Sequence, residues 1–351
     1  MTKRNDANLV TAFIRTIFRR DCLPLIIFIL VFFGSCFYLF FSVQPVSFAG
    51  ELNSELIKDE VNRIINSDKG LNHFFTRLAM LENKQTDLVS VYHFGDSHVA
   101  AISLPNGVAE FLQLNFGFAG REAFKESIPN PKRKTRRRHK RRASLYELTA
   151  PSRLYAGTQD IAAPYNWDYN EIRENLMQET RGVKYYSYGY SGKSFNFFSK
   201  SEKMLNHIRD VNADLVIVTL GTNDVYGQNY SEDQIKKEIA TVIGNIRRVN
   251  AICSILLITP PDSYVKRQTS NKNLPSVRNA IIESAMKDSV ACWDFFSVMG
   301  GAGSMDQWVQ EGLAASDKIH LTNTGYVRQA ELLNYALMVE YQEFIKRYNS
   351  R

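Results

Sequence analysis

The chain is 351 residues long, 44% hydrophobic and 23% charged, which excludes a disordered chain and leaves room for one or two domains with a sizeable core. Its formal charge of +7 suggests a nucleic-acid partner, but residues 132–142, KRKTRRRHKRR, hold nine Lys/Arg and no acid, and without those nine charges the remainder carries −2. The basicity therefore belongs to one loop, and a nucleic-acid footprint spread over the folded surface is excluded.

The first predicted element is a membrane span. Leu23 to Phe41 (LPLIIFILVFFGSCFYLFF) is free of charge and, at about 1.5 Å per residue, long enough to cross a bilayer core of roughly 30 Å. Lys3, Arg4, Arg15, Arg19 and Arg20, against Asp6 and Asp21, precede it, and the first charges after it are Glu51, Glu55, Lys58, Asp59 and Glu60. That asymmetry predicts residues 1–22 as a cytoplasmic basic tail, 23–41 as a single-pass anchor in the inner membrane and the rest of the chain as extracytoplasmic. A cleavage site ending at Ser47-Phe48-Ala49 and a lipidation site at Cys36 are the competing readings.

Residues 42–85 read as a linker passing into a helix over ELNSELIKDEVNRIINSDKG, and 86–351 as the main domain. A strand is predicted at 88–94 (LVSVYHF), followed by a small-residue helix to Leu114. Residues 122–180 form an irregular basic insertion. From Val183 short apolar runs alternate with helical patterns: VKYYSYG, DLVIVTLG at 214–221, a helix over 231–250 with Ile235, Ile239, Val242, Ile243 and Ile246 at helical spacing, SILLITPP at 254–261, a helix near 276–287, VACWDFF at 290–296 and a last helix over 324–348. Fully apolar strands alternating with amphipathic helices predict an α/β fold: a three-layer α/β/α sandwich on a mostly parallel central sheet. Four cysteines show no metal-ligand spacing, so Cys253 and Cys292 read as buried thiols.

In such sheets the ligand crevice lies beyond the carboxyl ends of the strands. The first predicted strand ends in Gly95-Asp96-Ser97-His98, the second leads to Ser191-Gly192-Lys193-Ser194, the third ends in Gly221-Thr222-Asn223-Asp224, and Asp317-Lys318-Ile319-His320 precedes the last helix. A serine hydroxyl becomes a nucleophile when a base takes its proton and a third group holds the base. Ser97, His320 and Asp317 are the candidates for those roles. The N–H groups of Ser97 and Gly192 and the amide of Asn223 are candidate oxyanion donors. His98 and Trp308 are candidates for lining a substrate cleft, with Trp308 on a flexible glycine-rich loop, Met299 to Met305. His93 reads as a packed strand residue and Asp96 as a turn residue. The Gly-x-Ser-x-Gly elbow of α/β-hydrolases is absent, because Val99 stands at the second glycine.

The four blocks, Ser97, Gly192, Asn223 and Asp317/His320 in that order, resemble those of the SGNH (GDSL-like) hydrolases. FGDSHVAA, YSYGYSGKSF, ADLVIVTLGTNDVYG and SDKIHLTNTGY are similar to the branch that contains periplasmic peptidoglycan O-acetylesterases and related sugar O-acyl enzymes. The resemblance covers about 88–340 with a gap over 122–180. It implies a flavodoxin-like sheet, Ser97 as nucleophile, His320 as base, Asp317 as its orienter and an oxyanion hole of Ser97, Gly192 and Asn223, with no cofactor and no metal. The implied partner is an O-acylated glycan, held near the membrane by the anchor, with 132–142 drawing on an anionic surface polymer. Two other functions stay open from the residues alone: an O-acyltransferase using the same groups, and a non-catalytic wall-binding protein.

Overall fold

A computed structural model describes residues 56–126, 181–226 and 231–350. The chain divides into a unit Met1–Gly50, which lies outside the described residues, and a unit Glu51–Arg351. The predicted anchor at 23–41 and the basic run at 132–142 also lie outside them. No helix among the described residues is long and apolar enough to cross a membrane.

The second unit runs β1 (Ile64–Ile65), α1 (Asn72–Glu82), β2 (Leu88–Gly95), α2 (Ser97–Ala100), α3 (Ser103–Phe116), β3 (Phe118–Glu126), β4 (Gly182–Tyr190), α4 (Glu202–Asp210) and β5 (Leu215–Thr219). It continues with α5 (Glu232–Val249), β6 (Ser254–Ile258), the hairpin β7 (Tyr264–Val265) and β8 (Thr269–Ser270), α6 (Leu274–Lys287), β9 (Ala291–Trp293), α7 (Ser304–Gln310) and α8 (Asn323–Tyr348). Seven strands form one sheet in the order β1-β9-β6-β5-β2-β4-β3. Every neighbouring pair is parallel except β1 with β9.

Side chains alternate across these strands, so each face needs its own cover. Val89, Val91, Leu215, Ile217, Leu256 and Ile258 pack under α1, α3 and α8. Tyr92, Phe94, Val216, Val218, Ile255 and Leu257 pack under α4, α5 and α6. The predicted stripe on α5, Ile235 through Ile246, is buried in the second core. His93 is a core residue as expected, its two ring nitrogens satisfied by Tyr185 Oη at 2.9 Å and Thr219 Oγ1 at 2.8 Å. Among the described cysteines, Cys253 and Cys292 are buried and free.

Two expectations fail here. The helix expected over 51–70 is replaced, within the described residues, by a 3-10 turn at Asp59–Val61, strand β1 and a single helical turn at Ser67–Gly70. Tertiary contacts override the local pattern: Ile64 and Ile65 pair with Trp293 and Cys292, and the Asn62 side chain accepts from the Trp293 indole and donates to the Leu332 carbonyl. Asp214 ties the following helix α1 to β2, since its carboxylate accepts from Arg77 Nε at 2.9 Å and from the Ser90 N–H at 2.8 Å. Residues from 56 on therefore belong to the main unit. The second difference is β3, an edge strand where irregular chain was expected from residue 122. It carries Arg121 and Glu122 among few large apolar residues, as edge strands often do.

Candidate active site

Ser97 opens α2 where β2 reaches the carboxyl edge of the sheet. Two glycines make its seat. A Cβ on Gly95 would fall 2.2 Å from the Thr219 carbonyl oxygen, and one on Gly189 of β4 would fall 2.3 Å from the Ala100 backbone. α2 can lie this close to the sheet only over residues without side chains. The turn is capped by Asp96, which is fully buried and accepts from the His98 N–H at 3.0 Å. Beyond α2 the chain bends at Ile102, whose φ of 72° is a costly conformation for a β-branched residue.

His320 arrives from the loop before α8. Its Nε2 lies 3.0 Å from Ser97 Oγ and its Nδ1 2.8 Å from Asp317 Oδ2. The other carboxylate oxygen of Asp317 accepts the N–H groups of Ile319 and His320, each at 3.0 Å. Burial raises the Asp317 carboxyl, but those N–H groups and the His320 ring outweigh it and hold it below its ordinary value. Lys318 takes a left-handed φ of 56° to close this turn, and Nζ of that lysine pairs with Asp306 at 2.5 Å.

Asn223 follows β5. Its Nδ2 donates to Asp96 Oδ2 at 3.2 Å and to the Lys193 carbonyl at 2.9 Å. Since Asp96 caps the serine's turn, these two bonds join the first, second and third blocks. Burial, with a smaller push from the Asp224 charge, lifts the Asp96 carboxyl to about 7, and burial likewise lifts Asp224 to about 7. Asp224 Oδ1 accepts from the Phe195 N–H at 3.1 Å and so anchors the segment after the second block. Gly192, with φ 78°, sits exposed in that block.

The two residues expected to line a cleft do otherwise. Trp308 is fully buried, with its indole N–H donating to the Met299 carbonyl at 3.0 Å and its ring edge-on to Phe295. The glycine-rich loop before it is fastened, because Asp262 Oδ2 accepts from the Gly303 and Met305 N–H groups at 3.0 and 3.1 Å. Three glycines there have positive φ, so the glycines serve backbone geometry rather than looseness. His98 is 1% exposed and faces inward against His320 and Tyr326. Tyr326 was not singled out from the sequence. An aromatic in the first turn of a core helix looks like any packing residue.

Among the described residues no group of three or more His, Cys, Asp or Glu is placed to hold a metal. The arrangement is a hydroxyl, an imidazole and a carboxylate in relay, with the Asn223 amide bonded to Asp96, the residue before the serine. It is suited to acyl transfer through an acyl-serine.

The model of the GDSL-like Lipase/Acylhydrolase family matches residues 155–328. That stretch contains Gly192, Asn223, Asp317 and His320 and begins after Ser97, which joins them through geometry. Among solved structures, a peptidoglycan O-acetylesterase superposes with a TM-score of 0.60 at 16% identity, covering 80% of this chain and 99% of that one. A lipase/acylhydrolase from Enterococcus faecalis gives 0.39 at 13% identity over 72% and 96% of the two chains. An acetyl xylan esterase gives 0.40 at 15% identity over 70% and 98%. No curated protein sequence matches the chain. At these identities the first of the three structures speaks for the fold.

Proposed function

Since the chain belongs to the SGNH (GDSL-like) hydrolases, a superfamily of ester hydrolases, we propose that it is a membrane-anchored serine esterase that removes O-acetyl groups from cell-wall or surface polysaccharide outside the cytoplasmic membrane. The observation that carries this reading is the relay from Ser97 Oγ through His320 to Asp317, at 3.0 and 2.8 Å. Ser97 attacks the acetyl carbonyl while His320 Nε2 takes its proton, and Asp317 stabilises the imidazolium that forms. The N–H groups of Ser97 and Gly192 and the Asn223 amide receive the oxyanion. Asn223 serves by sharing one of its two amide hydrogens, now directed at Asp96 and Lys193. As the tetrahedral intermediate collapses and the bond from the acetyl carbon to the sugar oxygen breaks, His320 gives its proton to that oxygen and the sugar hydroxyl leaves; water then repeats the sequence to free acetate and the serine.

The glycan is supported by the shared fold with a peptidoglycan O-acetylesterase and by the export signal read from residues 1–41. The nine positive charges of 132–142 suit attraction to an anionic wall polymer or lipid surface. The test is acetate release by the full-length chain from a small acetyl ester and from O-acetylated peptidoglycan. Wild type is expected to turn over both, and Ser97→Ala to lose about 10⁴-fold or more in kcat. Equal inactivity of wild type and Ser97→Ala on several acyl esters sinks the reading.

A further inference from the structure

The buried imidazole of His98 has no role in the mechanism above, and its surroundings are specific. It follows Ser97 on α2, so its backbone moves with the nucleophile. Its ring lies 5.4 Å from that of His320, centre to centre, at 36°. Its Nδ1 lies 3.0 Å from the hydroxyl of Tyr326 on α8, the helix that starts three residues after His320. Its Nε2 is buried with no hydrogen-bond partner. One side chain thus touches the element that carries the nucleophile, the ring of the base and the helix behind the base.

The protonation pattern follows from the neighbours. With the Tyr326 hydroxyl as donor, its hydrogen points at His98 Nδ1. The ring proton of His98 then sits on Nε2. The opposite tautomer would strand the tyrosine hydrogen as well as Nε2. Burial, followed by the positive charge that His320 acquires, holds His98 down at about 3. His98 therefore stays neutral while its neighbour becomes a cation. A phenylalanine of similar volume would fill the site without a stranded nitrogen, so packing alone does not account for a histidine here.

We propose that His98, fixed by Tyr326, is a positioning residue that holds the His320 ring in the plane joining Ser97 Oγ to Asp317. The proposal rests on the esterase reading for its kinetic consequence, but its geometric consequence is independent of turnover. A loosened base spends less time aligned with both partners, which lowers kcat and leaves substrate binding alone.

The experiment compares the full-length wild type with Tyr326→Phe, which removes one oxygen, and with His98→Gln. For both variants kcat on a small acetyl ester is expected to fall about tenfold with KM within about twofold. In parallel, the ring 15N–1H correlation of His320, assigned by its loss in His320→Gln, is expected to be sharp in wild type and broadened in Tyr326→Phe. Unchanged kcat in Tyr326→Phe overturns the proposal, and so does a raised KM at constant kcat, which would place His98 in substrate binding. If wild type proves inactive, the esterase reading falls, and equal His320 line widths in wild type and Tyr326→Phe then overturn the positioning role separately.

Discussion

Asn223 shows how much one side chain can be asked to do. Its amide bonds to Asp96 and to the Lys193 carbonyl, so it fixes three blocks in space before any substrate arrives. The Lys193 carbonyl accepts hydrogen bonds and cannot donate them, and this fixes the amide nitrogen of Asn223 on that side. Replacing Asn223 with Ala is expected to cost about 10² to 10³ in kcat, the usual effect of losing one oxyanion donor. Steady-state kinetics on a small acetyl ester would check it, and a loss below about threefold would remove Asn223 from the oxyanion hole. These residue-scale features were largely legible in the sequence. Asp317 and His320 lie three apart, close enough for a turn to join them, and Asn223 and Gly192 sit after strands that end at one edge. Trp308 was misplaced for a physical reason: glycines at 300, 301 and 303 look like slack, whereas each supplies a positive φ to a turn that Asp262 fastens.

The nucleophile's helix α2 is one turn long and cannot hold itself together by propensity. It depends on the surface beneath it, which is the backbone at Gly189 and Gly95. Gly189→Ala is expected to push α2 off the sheet. Thermal unfolding should show a loss of roughly 1–3 kcal/mol, the range for overpacking a filled site, together with a larger proportional fall in kcat than in stability-corrected folded protein. A variant with wild-type kcat and stability would show that the seat has slack. Elements of this length, and strands such as β1 with two residues, are set by tertiary contacts that no periodicity reveals. β3 escaped for a related reason, since its charged edge-strand sequence lacks the apolar run that marks the central strands. The long stripe on α5, by contrast, was plain in the sequence because one face of a regular helix meets one core.

At the scale of the whole molecule, and among the described residues, buried His93 and His98 act on stability in one direction and buried Asp96 and Asp224 in the other. His93 and His98 are held down at about 3 by burial. Between there and the ordinary histidine range the unfolded chain binds more protons than the folded one, so they make stability rise with pH over that window. Asp96 and Asp224 are lifted to about 7. From the ordinary aspartate range up to 7 the folded chain binds more protons, so they make stability fall with rising pH. The two pairs offset each other between about pH 4 and 6.5. Asp224→Asn removes one falling contribution, and its unfolding free energy should climb with pH across that window relative to wild type. Urea titrations at several pH values would show this, and a pH-independent difference between the two proteins would refute it.

The strained bend at Ile102 has a consequence for how such a protein can be improved. Left-handed backbone at a β-branched residue stores of order 1–3 kcal/mol, and it stores it two residues past the end of the four-residue helix that opens on the nucleophile. Relaxing that bend with glycine would release this strain and, by the same change, loosen the segment that follows the serine's turn. Selection for heat resistance and selection for turnover would pull this one position in opposite directions.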